Sequence, residues 1–170
     1  MPPPVVEIDV TAHKTNVRLI SCARWDVSLG EASLEDVDEV RTIVVDKRRR
    51  EQLSGRRLRE QVLREFMKVD ASLVMVIRDE HRAPSLTYIN GVWVRTPLPS
   101  ISITHSQGRA FVAVGPADRA IGVDAEPVGI TMSSNAFYMM AQGEELTMLR
   151  KHPQRAMNAW VAKEAVQKSM

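Results

Sequence analysis

The chain holds a single cysteine, Cys22, among its 170 residues. No intrachain disulfide can form, and a reducing, cytoplasmic setting is expected. Aromatic residues make up only 5%, and no RNA-binding aromatic motif appears. No apolar run approaches the length of a membrane-spanning helix, about 18 residues, so no membrane partner is expected. The opening MPPPVVEIDV has no basic segment followed by an apolar one, and so does not read as a signal peptide. Net charge is only +2, which permits an anionic partner without demanding a polyanion. What remains is a globular balance of 44% hydrophobic and 26% charged residues, which argues against wholesale disorder.

Patterning divides the chain into elements. Residues 5–27 carry alternating apolar stretches and predict one or two strands. Ser33 followed by Asp36 resembles a capping box and predicts a helix start. VVDKRRREQLSGRRLREQVLREFMKV has no proline and many helix formers, with Gly55 inside it, and predicts a long helix. LVMVIRD reads as a buried strand, and SLTYINGVWV as a hairpin around Asn90-Gly91. RTPLPS carries two prolines and suggests a boundary between lobes spanning residues 1–98 and 99–170. Beyond it, SISITHS, AFVAVG and AIGVDAE predict three strands, the first with Ile101 and Ile103 on one face and Ser102 and Thr104 on the other. From about Asn135 the pattern is helical, broken at His152-Pro153.

Several side chains carry candidate chemistry. If AIGVDAE is a strand, Gly122, Asp124 and Glu126 share a face. Two hard carboxylates at that spacing suit Mg²⁺, although the same pair also fits a solvated edge strand. Trp160, Glu164 and Lys168 follow one helix stripe, with Lys163 beside it. In isolation Glu164 and Lys168 form a surface pair worth about 0.3–0.5 kcal/mol. In the functional reading of the same stripe, Glu164 is a third metal ligand beside lysines that hold phosphate. His105 sits at a strand end beside Gln107-Gly108, where it is either structural or a phosphate contact. Arg48 and Arg56 lie two turns apart on the arginine-rich helix, with Arg78 at a strand end beyond. Such a block is either a solvated face or a set of forks for phosphate oxygens.

The order of these pieces resembles the phosphopantetheinyl transferase superfamily, in its surfactin-synthetase-activating branch. That family carries a Ser/Thr-His-Ser/Cys segment, a G-[IV]-D-x-E segment and a W-x-x-K-E-[AS]-x-x-K helix, in that order. They stand here as Thr104-His105-Ser106, Gly122-Val123-Asp124-Ala125-Glu126, and Trp160 through Lys168. The shorter carrier-protein-synthase branch places its G-[IV]-D segment at the N-terminus, which disfavours it. KRRREQLSGR and RDEHRAP resemble the basic helix and turn upstream of these motifs, so the resemblance covers about residue 46 to the end.

The resemblance implies transfer of the 4′-phosphopantetheine arm of coenzyme A to a serine of an acyl or peptidyl carrier protein, releasing adenosine 3′,5′-bisphosphate. It implies Mg²⁺ held by Asp124, Glu126 and Glu164, with Glu164 also a base for the serine hydroxyl. Lys163 and Lys168 would grip the pyrophosphate, and His105, Arg48, Arg56 and Arg78 would surround the phosphates at the adenosine end. The implied fold is α+β: a two-lobed pseudo-dimer of small, mostly antiparallel sheets, each packed on a long helix. Family chains continue past the final lysine, so a second lobe cut short is the expectation here. A non-catalytic relative that binds CoA or a carrier protein is the alternative. A basic nucleic-acid-binding module rests only on KRRR and GRR, and no nucleic-acid partner is expected.

Overall fold

A computed structural model of the chain describes residues 4–10, 16–23, 41–78, 80, 84–93 and 95–170. It is an α+β structure built on antiparallel sheets. Strands β1 (Val5–Ile8) and β2 (Arg18–Ala23) fall within the region predicted to hold one or two strands. The helix start predicted at Ser33 lies outside the described residues. Helix α1 (Asp46–Glu65) follows, then strands β3 (Val74–Arg78) and β4 (Pro84–Tyr88). Strands β5 (Ser100–Ser106) and β6 (Arg109–Gly115) come next. The chain closes with helices α2 (Phe137–Met140), α3 (Gly143–Lys151) and α4 (Ala156–Ser169).

Four strands form one sheet in the order β1-β2-β6-β5, and β3 and β4 form a second, two-stranded sheet. The larger sheet takes β1 and β2 from before residue 99 and β5 and β6 from after it, with Arg18 paired to Val114 and Ala23 to Arg109. The β5–β6 hairpin is closed by a two-residue turn, Ser106 standing opposite Arg109. Gln107 and Gly108 both have positive φ, 42° and 73°, as a turn matching the strand twist requires.

Period-2 alternation then sorts the hairpin's side chains. Ile101, Val112 and Val114 point to the face covered by α1, where they pack with Ile20, Cys22, Leu58 and Val62. Ser102 and Thr104 point to the opposite face, and both are buried. A second apolar cluster joins Phe137, Met140, Ala141, Leu149 and Ala156, with Trp160 of α4 packed against it.

Three expectations need correction. LVMVIRD does not supply a buried strand: β3 is half-exposed, with Ile77 at 45%, because it belongs to a two-stranded sheet and only Val76 of its residues packs against the main core. The hairpin is not centred on Asn90-Gly91; β4 pairs back onto β3, and no strand comes directly after that turn among the described residues. Pro97 and Pro99 cannot donate to a ladder, and the Tyr88 hydroxyl instead accepts from the Thr96 N–H at 3.1 Å. AIGVDAE is not a strand. Residues 120–127 carry no regular structure, and side chains of β5 tie them down in place of a backbone ladder.

Candidate functional site

The site lies against β5, an edge strand of the larger sheet. A cavity of about 440 Å³ lies along its outer edge. Residues from both faces of β5 reach it, Ser102 from one and Ile103 and His105 from the other. Helix α1 supplies Gln52, Gly55, Arg56 and Arg59; the small sheet supplies Val76, Arg78 and Pro84; α4 supplies Glu164, Gln167 and Lys168. Five residues singled out from the sequence therefore share one wall: Arg56, Arg78, His105, Glu164 and Lys168.

Four basic residues, Arg56, Arg59, Arg78 and Lys168, line the cavity with one carboxylate, Glu164; Arg59 also lies 3.8 Å from Glu60, and Lys168 is paired with Asp124. Arg56 and Arg59 are 6% and 5% exposed, three residues apart and hence on one stripe of α1. Buried guanidinium forks beside an imidazole make a site for phosphate or another multivalent anion. The volume suits a ligand of small-molecule or cofactor size.

His105 is held by local packing. Its ring lies over Gly55, where a Cβ would sit 2.5 Å from Nε2. Nε2 is buried and has no hydrogen-bond partner among the described residues. Burial pushes the imidazole below its ordinary pKa; the charge of Glu51 and a hydrogen bond to its backbone push it back up, while Lys168 pushes it down. The net effect favours the neutral ring.

The GVDAE segment reaches the site by a different route from the one a strand would take. The Val123 N–H donates to Ser102 Oγ at 3.1 Å, and Thr104 Oγ1 donates to Asp124 Oδ1 at 2.9 Å. Gly122 rests directly on the α4 backbone at Ala165. Lys168 Nζ donates to Asp124 Oδ1 at 2.6 Å and to Thr104 Oγ1 at 3.2 Å. Asp124 and Lys168 thus form an ion pair whose side chains are 9% and 30% exposed. The sequence suggested Glu164 as a neighbour of Lys168; the carboxylate that Lys168 meets is Asp124.

Other predicted residues lie elsewhere. Glu126 is exposed, as is Arg48, which does not line the cavity. Lys163 points away from it: one residue along a helix turns a side chain by about 100°. Its Nζ donates to the Met140 carbonyl at 2.6 Å and to Glu145 Oε2 at 2.7 Å, linking α4 to α2 and α3. Among the described residues no three His, Cys, Asp or Glu side chains gather as a metal-binding group. Asp124, Glu126 and Glu164 are not gathered as such a group: Asp124 meets Lys168 and Thr104, Glu126 is exposed, and Glu164 lines the cavity.

Gln52, Gly55, Arg59 and Ser102 carried no role in the sequence, and Thr104 only a place in its motif. A signal was present for two of them. Gly55 costs a helix about 1 kcal/mol relative to alanine, so a close neighbour was a reason to keep it. Arg59 follows Arg56 at helical spacing. No helix among the described residues is long and apolar enough to cross a membrane. No protein-family model matches the chain, and no curated protein matches it.

Proposed function

We propose that this chain binds coenzyme A in the β5-edge cavity and transfers its 4′-phosphopantetheine arm to a serine of an acyl or peptidyl carrier protein. The observation that carries the reading is the convergence of Arg56, Arg78, His105, Glu164 and Lys168, from four elements, on one cavity. The order of the three sequence motifs supports it independently.

In this reading Arg56, Arg59, Arg78 and His105 hold the phosphates at the adenosine end, and Lys168 lies against the pyrophosphate. The serine oxygen attacks the phosphorus that carries the pantetheine arm. A serine–phosphorus bond forms, the bond from that phosphorus to the bridging oxygen breaks, and adenosine 3′,5′-bisphosphate leaves with the electron pair. Glu164 accepts the serine proton. Guanidinium and ammonium groups facing the leaving group offset the charge that builds on it. The family's Mg²⁺ has no gathered ligand set among the described residues, and no step of this reading runs through it. The two-lobed pseudo-dimer belongs to the same proposal, with α1 and α4 as the helices flanking the cleft. A cytoplasmic location follows from CoA and carrier protein as partners.

The placement of Lys163 on Glu145 and the ungathered carboxylates favour a second reading, a relative that binds CoA without transferring the arm. Intact-mass spectrometry separates the two. An apo carrier protein is incubated with the chain, CoA and Mg²⁺, beside a Glu164→Ala control. A gain of one phosphopantetheine arm, absent in the control, supports the transferase. Saturable CoA binding with no gain supports the binder. Absence of both rejects CoA as the ligand.

A further inference from the structure

Lysine at a phosphate site poses a physical problem. Its ammonium is a point charge on a flexible stem of four carbons, and it holds a fixed place only where other groups anchor it. Lys168 is anchored by a closed triangle. Its ammonium donates to Asp124 Oδ1 at 2.6 Å and to Thr104 Oγ1 at 3.2 Å, while the Thr104 hydroxyl donates to the same Oδ1 at 2.9 Å. The Thr104 hydroxyl is thereby used as donor and acceptor at once. An ammonium has three N–H donors; two serve the triangle, leaving one for a ligand at the cavity wall that Lys168 lines.

The anchor is itself held in place. Ser102, two residues before Thr104 on the same face of β5, accepts from the Val123 N–H at 3.1 Å. Gly122 seats the segment on the α4 backbone. Asp124 is therefore fixed from β5 on one side and from the helix bearing Lys168 on the other. Its carboxylate is only 9% exposed, and one of its oxygens already takes two donors.

We propose that Thr104 and Asp124 are positioning residues that hold the Lys168 ammonium against the bound anion, so that Asp124 serves ligand binding through Lys168 and not as a metal ligand. This rests on the reading of the cavity as a CoA site. It assigns Thr104 a role and gives Asp124 a different one from that implied by the motif it belongs to.

The test is calorimetric binding of CoA to the full chain, in EDTA and again in Mg²⁺. Lys168→Met weakens binding in EDTA about tenfold or more, as loss of a charge-assisted hydrogen bond does. Asp124→Asn weakens it comparably, and the double variant is no weaker than Lys168→Met alone, because the two act as one unit. Thr104→Val, which keeps the side-chain shape, weakens binding, and Thr104→Ser restores it; a purely packing role for Thr104 predicts the reverse order. The inference is overturned if Asp124→Asn leaves EDTA binding intact and removes only a Mg²⁺-dependent gain. It is also overturned if the Asp124 and Lys168 effects multiply, or if Thr104→Val binds like the parent. The threonine pair decides the matter even where Asp124→Asn does not fold. Failure of the parent chain to bind CoA in either buffer rejects the CoA reading itself, and this inference with it.

Discussion

Gly122 lies against the carbonyl oxygen of Ala165, so close that a Cβ at position 122 would overlap that atom. Both partners are backbone, and neither can swing aside as the tip of a flexible side chain can. Gly122→Ala therefore forces the 120–127 segment away from α4. Overpacking of this kind costs about 1–3 kcal/mol or more. Thermal unfolding of the variant should show a lowered midpoint. A midpoint equal to the parent's would mean that the segment does not rest on α4.

Gly55→Ala tests the cavity from the opposite side. The alanine gains about 1 kcal/mol in helix propensity, but its methyl would meet the His105 ring at 2.5 Å. The ring end can shift, so the variant is expected to fold. If the cavity holds the adenosine-end phosphates as proposed, adenosine 3′,5′-bisphosphate should then bind several-fold more weakly, by titration calorimetry. If Gly55 is merely a tolerated helix defect, the variant becomes more stable and binds the nucleotide as before.

The buried imidazole of His105 gives a pH dependence of known sign. Its folded pKa is lowered by burial, so the unfolded chain takes up a proton at a higher pH than the folded one. The stability it contributes is complete above the ordinary histidine value, about 6.5, and declines as pH falls through the folded value. Denaturant unfolding from about pH 7.5 down to about pH 5, a span that brackets the ordinary value, should show this decline, and His105→Gln should flatten it. A bound phosphate favours the charged ring, so binding should take up a proton. Calorimetry in buffers of different ionisation enthalpy reads that uptake directly, and zero uptake would place the anion away from His105.

Cys22 reports on global unfolding. The thiol is fully buried in the sheet core, and burial pushes its pKa up to about 11 against a smaller opposing pull from Arg109. A thiol reagent at mildly alkaline pH should label the native chain only as fast as it unfolds. Added denaturant should raise the rate steeply. Rapid labelling in native buffer would show that the face of the sheet under α1 opens locally.

The regions legible in the sequence are those governed by short-range rules. The β5–β6 hairpin was legible because Gln107-Gly108 satisfies a two-residue turn and period-2 alternation sorts Ile101 and Ile103 from Ser102 and Thr104. The long α1 was legible from its uninterrupted helix formers. AIGVDAE imitates a strand in its alternation, but Ser102 and Thr104 of β5 and the α4 backbone at Ala165 hold it in place of a ladder. Asn90-Gly91 turns as expected, yet a turn closes a ladder only if the residues beyond it can pair, and here Pro97 and Pro99 cannot donate.

The sequence by itself determined the helical stripe bearing Glu164 and Lys168, the strand bearing His105 and the basic face of α1, because each depends on spacing within one element. Only the tertiary structure decided that these three meet at the outer edge of β5, and that Lys168 pairs with Asp124. That pairing depends on how close a loop can approach a helix, which Gly122 permits and which no local propensity encodes. It also depends on a threonine hydroxyl reaching across 20 residues of chain to fix the carboxylate.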